Sequence, residues 1–485
     1  MLLSPLAVLV AAPALAHAPC GFPDLAPSLA GRPRVRARDL PPPPALDVRD
    51  AWGTYPNELR SAHFVAKWGD RGGVSRGDVE ELLAAFEDGW TVEIDEMGHR
   101  APDGTDTYLF NVYVGDTGDG APSGLGAGGY YYRDDDGYPY IVIARDSLYS
   151  PEYVASAAVH ELYHAVQDAA VAYTYEGRSA WYWEATAEWA AGEVYPDNLS
   201  YAQFLFGYAL TSERSIEFFD YPDTGALQEY HQYGAFVFAR FLSEIVADRD
   251  LVVATWRAPS GATPLESIAR ELTDRGLALS DVFGEFATAN ARWDYADGDT
   301  YAYLVEAYED WYGDPYAVAE VGGFGTDGEA RPSSSDLPEQ WAYNLVEIRT
   351  AAAGATLRVA VDGAGTDGSP AEWRVAWVDA DSGAVTPLDV TGGEVTLALD
   401  GPDAGLLVAA AVPPAAEADE RFGWAWTVTP TSDGDTGGDG VVDLDDGKET
   451  PGGCGCASGV GPASPILAAA AVLALIRRSR SIVPV

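Results

Sequence analysis

The sequence predicts an α+β fold: a small β-sheet leading into a mainly helical region, followed by an antiparallel β-sandwich. Three observations predict it. Short runs rich in aromatic and β-branched residues lie before position 150, and helical patterning dominates from 150 to about 312. Between 338 and 430 short alternating runs return, separated by Gly, Asp and Pro turns. At 485 residues, 47% of them apolar, the chain is long enough for two or more packed domains.

Taken in order, residues 2–16 (LLSPLAVLVAAPALA) form an apolar run ending in a small-x-small signal, expected to be a signal peptide cleaved after Ala16. Residues 17–46 read as a Pro-rich linker. The sheet part, 47–149, holds strand-like runs at 63–68 (HFVAKW), 107–114 (TYLFNVYV) and 138–144 (YPYIVIA). It also holds a helix over 78–90, with apolar residues at 79, 82, 83, 86 and 90 on one face. The helical part, 150–330, opens on Ser150, a good N-cap, followed by Pro151 at the first helical position. A loop is expected near 196–225, another helix over 229–246, and two or three more before Gly313. The sandwich, 338–430, takes strands near 345–349, 356–361, 373–378, 394–399, 406–412 and 424–428. Residues 431–453 are a Gly/Asp-rich linker with too few apolar residues to fold.

The last segment, 454–485, joins Cys454-Gly455-Cys456, a short apolar stretch at 466–476, and Arg477, Arg478 and Arg480. The stretch is shorter than the roughly 20 residues of a stable membrane helix. This tail resembles the C-terminal sorting signals of myxobacterial surface proteins. The resemblance implies processing near the cysteines by a sorting machinery and retention at the outer surface of the cell; a short membrane anchor would give the same topology.

Acidic residues outnumber basic ones, 75 to 29, for a net charge of −46. Such a field repels phosphate backbones and excludes a nucleic-acid partner. Acidic turns at 116–120 and 134–137 raise Ca2+ as a weakly held ion, but neither has the ligand spacing of an EF-hand. Cys20, Cys454 and Cys456 are the only cysteines, so no disulfide framework holds the body.

The chemistry concentrates in His160-Glu161-Leu162-Tyr163-His164, an H-E-x-x-H pattern inside the helical run beginning at Ser150. Residues four apart lie on one side of a helix, so both imidazoles can share one ion, with Glu161 beside them. A catalytic zinc site needs a third protein ligand and an open position. Glu184 and Glu188, in WYWEATAEW, are four apart in an otherwise apolar helix, and buried carboxylates there need partners. A metal for one and a ligand imidazole for the other would supply them. Asp168, one turn beyond His164, is a candidate to orient a ligand or a plain surface aspartate. His63 and His99 have no ligand-type spacing and read as structural.

This arrangement resembles the gluzincin metallopeptidases, the thermolysin-like clan. In these, H-E-x-x-H is followed on a later helix by E-x-x-x-[DE]. The resemblance implies His160, His164 and Glu184 as Zn2+ ligands, Glu161 as general base, and Glu188 as an acceptor orienting a ligand histidine. Gluzincins often place an oxyanion-stabilising Tyr or His downstream, and the segment 229–236 (EYHQYGAF) offers His231 first and Tyr233 next. HFVAKW, TYLFNVYVGDTG, HELYHAVQ and WYWEATAEW also resemble secreted metalloprotease-like proteins of myxobacteria over roughly 50–330. The resemblance counts residues before 105 as part of the catalytic fold rather than a prosegment. The expected function is hydrolysis of peptide or protein substrates outside the cell. Two alternatives stand beside it: a surface binding or adhesion protein with a vestigial site, and a zinc hydrolase acting on something other than peptides.

Overall fold

A computed structural model describes residues 46–430, apart from 50–54, 119–120, 123–127, 221–225, 260, 313–318, 323–328, 350–354, 400–403 and 416–418. The expected signal peptide, nearly all of the Pro-rich linker, the 431–453 linker and the 454–485 tail lie outside the described residues. The α+β prediction holds.

The chain opens with β1 (Asn57–Arg60), β2 (Phe64–Trp68), α1 (Arg76–Gly89), β3 (Phe110–Gly115), β4 (Gly129–Arg133) and β5 (Pro139–Ala144). The five strands form one sheet in the order β1-β2-β3-β5-β4, with β2, β3 and β5 parallel and β1 and β4 antiparallel at the edges. Helix α1 starts at a capping box, in which Ser75 and Asp78 satisfy each other's backbone N–H groups. Its apolar face (Val79, Leu82, Leu83 and Phe86) packs between the sheet and the next helix. A π-helical stretch, Trp90–Glu96, continues it. Because β2 lies between β1 and β3, the residues before 105 are structural members of this domain.

Helix α2 (Pro151–Ala170) runs across the sheet and carries the H-E-x-x-H residues. Ser150 caps it, accepting from the Tyr153 N–H, and Pro151 occupies its first turn, as the sequence predicts. Alanines at 155, 158 and 165 allow close approach to the sheet and α1, while Val159, Tyr163 and Val166 face a second core. That core is built with α3 (Ala180–Val194), whose Trp181, Tyr182 and Trp189 are fully buried.

Beyond α3 the expected long loop contains α4 (Leu205–Ala209). The expected 229–246 helix is broken into α5 (His231–Gly234), α6 (Phe236–Phe241) and a π-helical turn. At the break Gly234 allows close packing, since a Cβ there would stand 2.6 Å from the Phe204 carbonyl oxygen. Helices α7 (Arg249–Thr255), α8 (Pro264–Asp274), α9 (Leu279–Asn290) and α10 (Gly298–Tyr312) complete the layer. Among the described residues no helix is long and apolar enough to cross a membrane.

The remaining strands are β6 (Ala319–Gly322), β7 (Ala342–Arg349), β8 (Ala355–Gly365), β9 (Trp373–Asp379), β10 (Val385–Leu388), β11 (Glu394–Leu399), β12 (Ala404–Ala411) and β13 (Phe422–Pro430). They form two sheets, β10-β9-β12-β7-β6 and β11-β8-β13, around one core containing Val346, Leu357, Trp377, Leu407, Trp424 and Trp426. Pairing is antiparallel except between β6 and β7.

The sandwich is not a detached module. Successive strand residues point to opposite faces, so β7 and β12 are buried twice over. Val346, Ile348, Leu407 and Ala409 face the sandwich interior, while Tyr343, Leu345, Val408 and Ala410 join the helical core beside α9.

Candidate metal centre

Helix α2 presents His160 and His164 one turn apart, and α3 presents Glu184 opposite them. All three are buried, at 6%, 2% and 0% exposure. Their ligating atoms converge. The two Nε2 atoms stand 3.1 Å apart, and Glu184 Oε2 lies 3.3 Å from one and 3.5 Å from the other. Oε2 accepts no hydrogen bond, although its atom is buried. Metal–ligand bonds of 2.0–2.1 Å in tetrahedral array set neighbouring ligands about 3.3 Å apart. The three edges bracket that value, so this buried group could hold a metal ion.

The surroundings fix each ligand. Gln167 donates through Nε2 to the Trp183 carbonyl (2.8 Å) and to Thr186 Oγ1 (3.0 Å). Its Oε1 must therefore accept from His164 Nδ1, 2.7 Å away. That places the His164 proton on Nδ1 and leaves the Nε2 lone pair facing the ion position. Tyr175 donates to Glu184 Oε1 at 2.5 Å, which reserves Oε2. Glu188 Oε1 lies 3.5 Å from His160 Nδ1, the position expected for an orienting carboxylate.

Electrostatics agree with a cation here. Burial by itself lowers the His160 imidazole, but Glu188, Glu184 and Glu161 outweigh it and lift the ring well above its ordinary value. Burial raises the Glu184 carboxyl, yet His164 and His160 hold it well below the usual range. Glu188 is raised, by burial first and then by its acidic neighbours, against the pull of His160. The carboxylates favour positive charge at these ring nitrogens.

Beside the group lies a small cleft, open to solvent, with His160, Glu161, Glu188 and Tyr233 in its walls. Glu161 packs against β4. A Cβ on Gly129 would sit 2.9 Å from Glu161 Cγ, so only glycine leaves the carboxylate its place.

The structure separates the two downstream candidates. Tyr233 stacks beside His160, with ring centroids 6.2 Å apart, and lines the cleft. His231 does not. Its ring is fully buried elsewhere, with Nε2 donating to the Ser215 carbonyl (3.1 Å) and Nδ1 facing Thr211 Oγ1 (2.7 Å). Burial drives it down to about 3, so it is a neutral structural histidine, correcting the preference drawn from the sequence. Asp168 also departs from expectation: it receives hydrogen bonds from Tyr131 and Arg133, tying α2 to β4 instead of orienting a ligand.

His63 pairs with Glu87 and stacks on Trp90, and His99 meets the Tyr163 hydroxyl; both are structural, as expected. The acidic turn at 134–137 engages Arg49 through Asp134 and Asp136. Among the described residues, the group geometrically able to hold a metal is His160, His164 and Glu184.

Fold and site together define an α+β protein with a buried His-His-Glu group that could hold a metal ion. The chain belongs to the family of unknown function DUF6055, whose model matches residues 45–391. That span covers the whole site and continues into the sandwich as far as β10. No curated protein matches the sequence.

Proposed function

We propose that this protein is an exported, surface-retained zinc peptidase of the gluzincin type. In this reading His160, His164 and Glu184 hold the ion and Glu161 is the general base. The observation that carries it is the triangle of ligand atoms, with edges of 3.1, 3.3 and 3.5 Å, closed by a carboxylate oxygen that has no other partner. Two imidazoles and one carboxylate with an open position suit zinc.

A bound zinc ion supplies Lewis acidity, which activates water and polarises a carbonyl. The remaining work belongs to the chain. Strand β4 is the edge of its sheet and lies against Glu161, so an extended peptide can pair along it over the cleft. Glu161 takes the proton of the attacking water and passes it to the leaving amine. Tyr233, in the cleft wall, donates to the oxyanion. Gln167, Tyr175 and Glu188 keep the ligands in register. The intact general base favours an enzyme over a vestigial site in an adhesion protein.

The test is a pair of variants. Glu161→Gln should keep one zinc per chain and lose hydrolysis, while Glu184→Ala should lower zinc occupancy. Appreciable turnover in the first, or unchanged metal content in the second, contradicts the assignment.

A further inference from the structure

The segment 211–220 runs between the sandwich and the candidate metal centre. On one side it is tied to the residues that lead into β7. The Tyr343 N–H donates to the Ser212 carbonyl (2.9 Å), the Glu339 N–H to the Glu213 carbonyl (2.8 Å), and the Ile216 N–H to the Trp341 carbonyl (3.0 Å). The Glu339 side chain, 2% exposed, closes this seam. Its Oε2 accepts from the Ser215 N–H (2.9 Å), and its Oε1 accepts from Arg421 at the start of β13 (2.8 Å). Gln340 Nε2 reaches Glu217 Oε2 at 3.2 Å, and Arg178, just before α3, donates to the same oxygen at 2.8 Å.

On the other side the segment leads to the ligand carboxylate. Phe219 meets the ring of Tyr175 edge to face, with centroids 5.5 Å apart and planes at 84°. Tyr175 lies in the connection between α2 and α3, outside any helix or strand, and its hydroxyl donates to Glu184 Oε1. Trp183 meets the same ring at 5.7 Å, but it belongs to α3 and moves with Glu184. Phe219 is therefore a brace from outside that helix, and its own position is set by the seam.

We infer that the sandwich is a positioning element of the metal centre: residues 339–343 hold the segment 212–217 so that Phe219 braces Tyr175 and Tyr175 holds Glu184. Glu339 and Phe219 are then positioning residues, acting through the Tyr175 hydroxyl. The inference rests on the metal centre proposed above and is independent of what that centre hydrolyses. Groups that orient a metal ligand typically change metal affinity by about 10- to 100-fold when removed. A sandwich that only extended the helical core would add stability and leave metal affinity alone.

The experiment measures zinc affinity of the full chain by competition with a chromophoric chelator, and the absorption bands of the Co2+-loaded protein. Neither needs turnover. Tyr175→Phe should weaken zinc binding by about 10- to 100-fold. Phe219→Ala and Glu339→Ala should weaken it by about 3- to 30-fold and alter the Co2+ bands in the same sense as Tyr175→Phe. Phe219→Tyr, which keeps the ring, should restore wild-type affinity. Combined with Tyr175→Phe, neither alanine variant should cost more than about twofold further, because the route they act through is already cut. Val359→Ala, in the sandwich core on β8 and away from the seam, should lower the melting temperature with zinc affinity unchanged. Phe219→Ala, which trims a half-buried ring, is the variant to rely on if Glu339→Ala fails to fold. Wild-type zinc affinity in Phe219→Ala, losses that add in full to that of Tyr175→Phe, or an equal loss in Val359→Ala would overturn the positioning role and leave the metal centre standing. If the wild type binds no zinc, the metal centre itself falls, and this role with it.

Discussion

Replacing Gly129 with alanine tests how tightly the edge strand positions the general base. The new Cβ would stand 2.8 Å from Ile143 Cδ1, 2.9 Å from Glu161 Cγ and 3.1 Å from the Val142 carbonyl oxygen, where ordinary contact begins at 3.4 Å. The carbonyl belongs to the neighbouring strand and is held by the ladder, so the side chains must yield. Glu161 has to withdraw by about half an ångström. Misplacing a reacting group by about 1 Å costs on the order of a hundredfold, so half of that predicts a loss of roughly tenfold in kcat/KM. Overpacking should also cost roughly 1–3 kcal/mol of stability. The ligands lie on α2 and α3, away from the new methyl, so zinc content should stay at one per chain. The assay is kcat/KM on a cleavable peptide, with metal analysis and urea unfolding on the same preparation. Wild-type kcat/KM in Gly129→Ala, or loss of the metal with it, would refute the placement of Glu161 against β4.

Other residues give independent checks. Gln167→Leu removes the acceptor that fixes the His164 tautomer and should weaken zinc binding about 10- to 100-fold in a competition titration; unchanged affinity would deny Gln167 that role. Tyr233→Phe should lower kcat by roughly a hundredfold or more with zinc retained, and a near-normal kcat would remove Tyr233 from the oxyanion site. His231→Asn should show a different signature. Its pKa is depressed to about 3, so the stability His231 contributes is complete above its unfolded value of 6.5 and is lost as pH falls toward 3. Between roughly pH 6 and 3.5 the wild type should therefore lose about 1.4 kcal/mol per pH unit more than the variant, and parallel stability curves would contradict this. Glu93 has the opposite sign. Its carboxyl is fully buried with neither oxygen hydrogen-bonded, and burial holds it well above 4.5 against a smaller pull from His160. Stability from that group is present below the unfolded pKa and lost as pH rises. Glu93→Gln should thus melt above wild type at pH 8, with the gap closing near pH 4.5; a gap independent of pH would sink the assignment.

Much of the site was legible because its geometry is local. His160 and His164 are four apart on one helix, and Glu184 and Glu188 are four apart on another, so periodicity alone sets each pair on one face. The N-cap Ser150 and the strands at β2, β3 and β5 were legible for the same reason. What could not be read depends on distant contacts. Strand β4 (GYYYR) follows a Gly-rich run, and its place in the sheet is set by antiparallel pairing with β5. His231 and Tyr233 are two residues apart, and only the packing of α5 against Phe204 and the 211–215 segment turns one toward the cleft and the other away. Asp168 sits one turn beyond His164, but Arg133 and Tyr131 on β4 claim its carboxylate. Gln167 was within reach: a residue three beyond a ligand histidine lies on the same face, and its amide can hold the ring. The sandwich strands were visible by alternation, whereas the second buried face of β7 and β12 shows only once α9 lies against them.

The most direct measurement is digestion of a broad peptide library by three preparations: zinc-loaded protein, the same protein after chelation, and zinc-loaded Glu161→Gln. The account predicts cleavage in the first, none in the second until zinc is restored, and none in the third despite a full metal complement. No cleavage by zinc-loaded protein, or equal cleavage by Glu161→Gln, would contradict it.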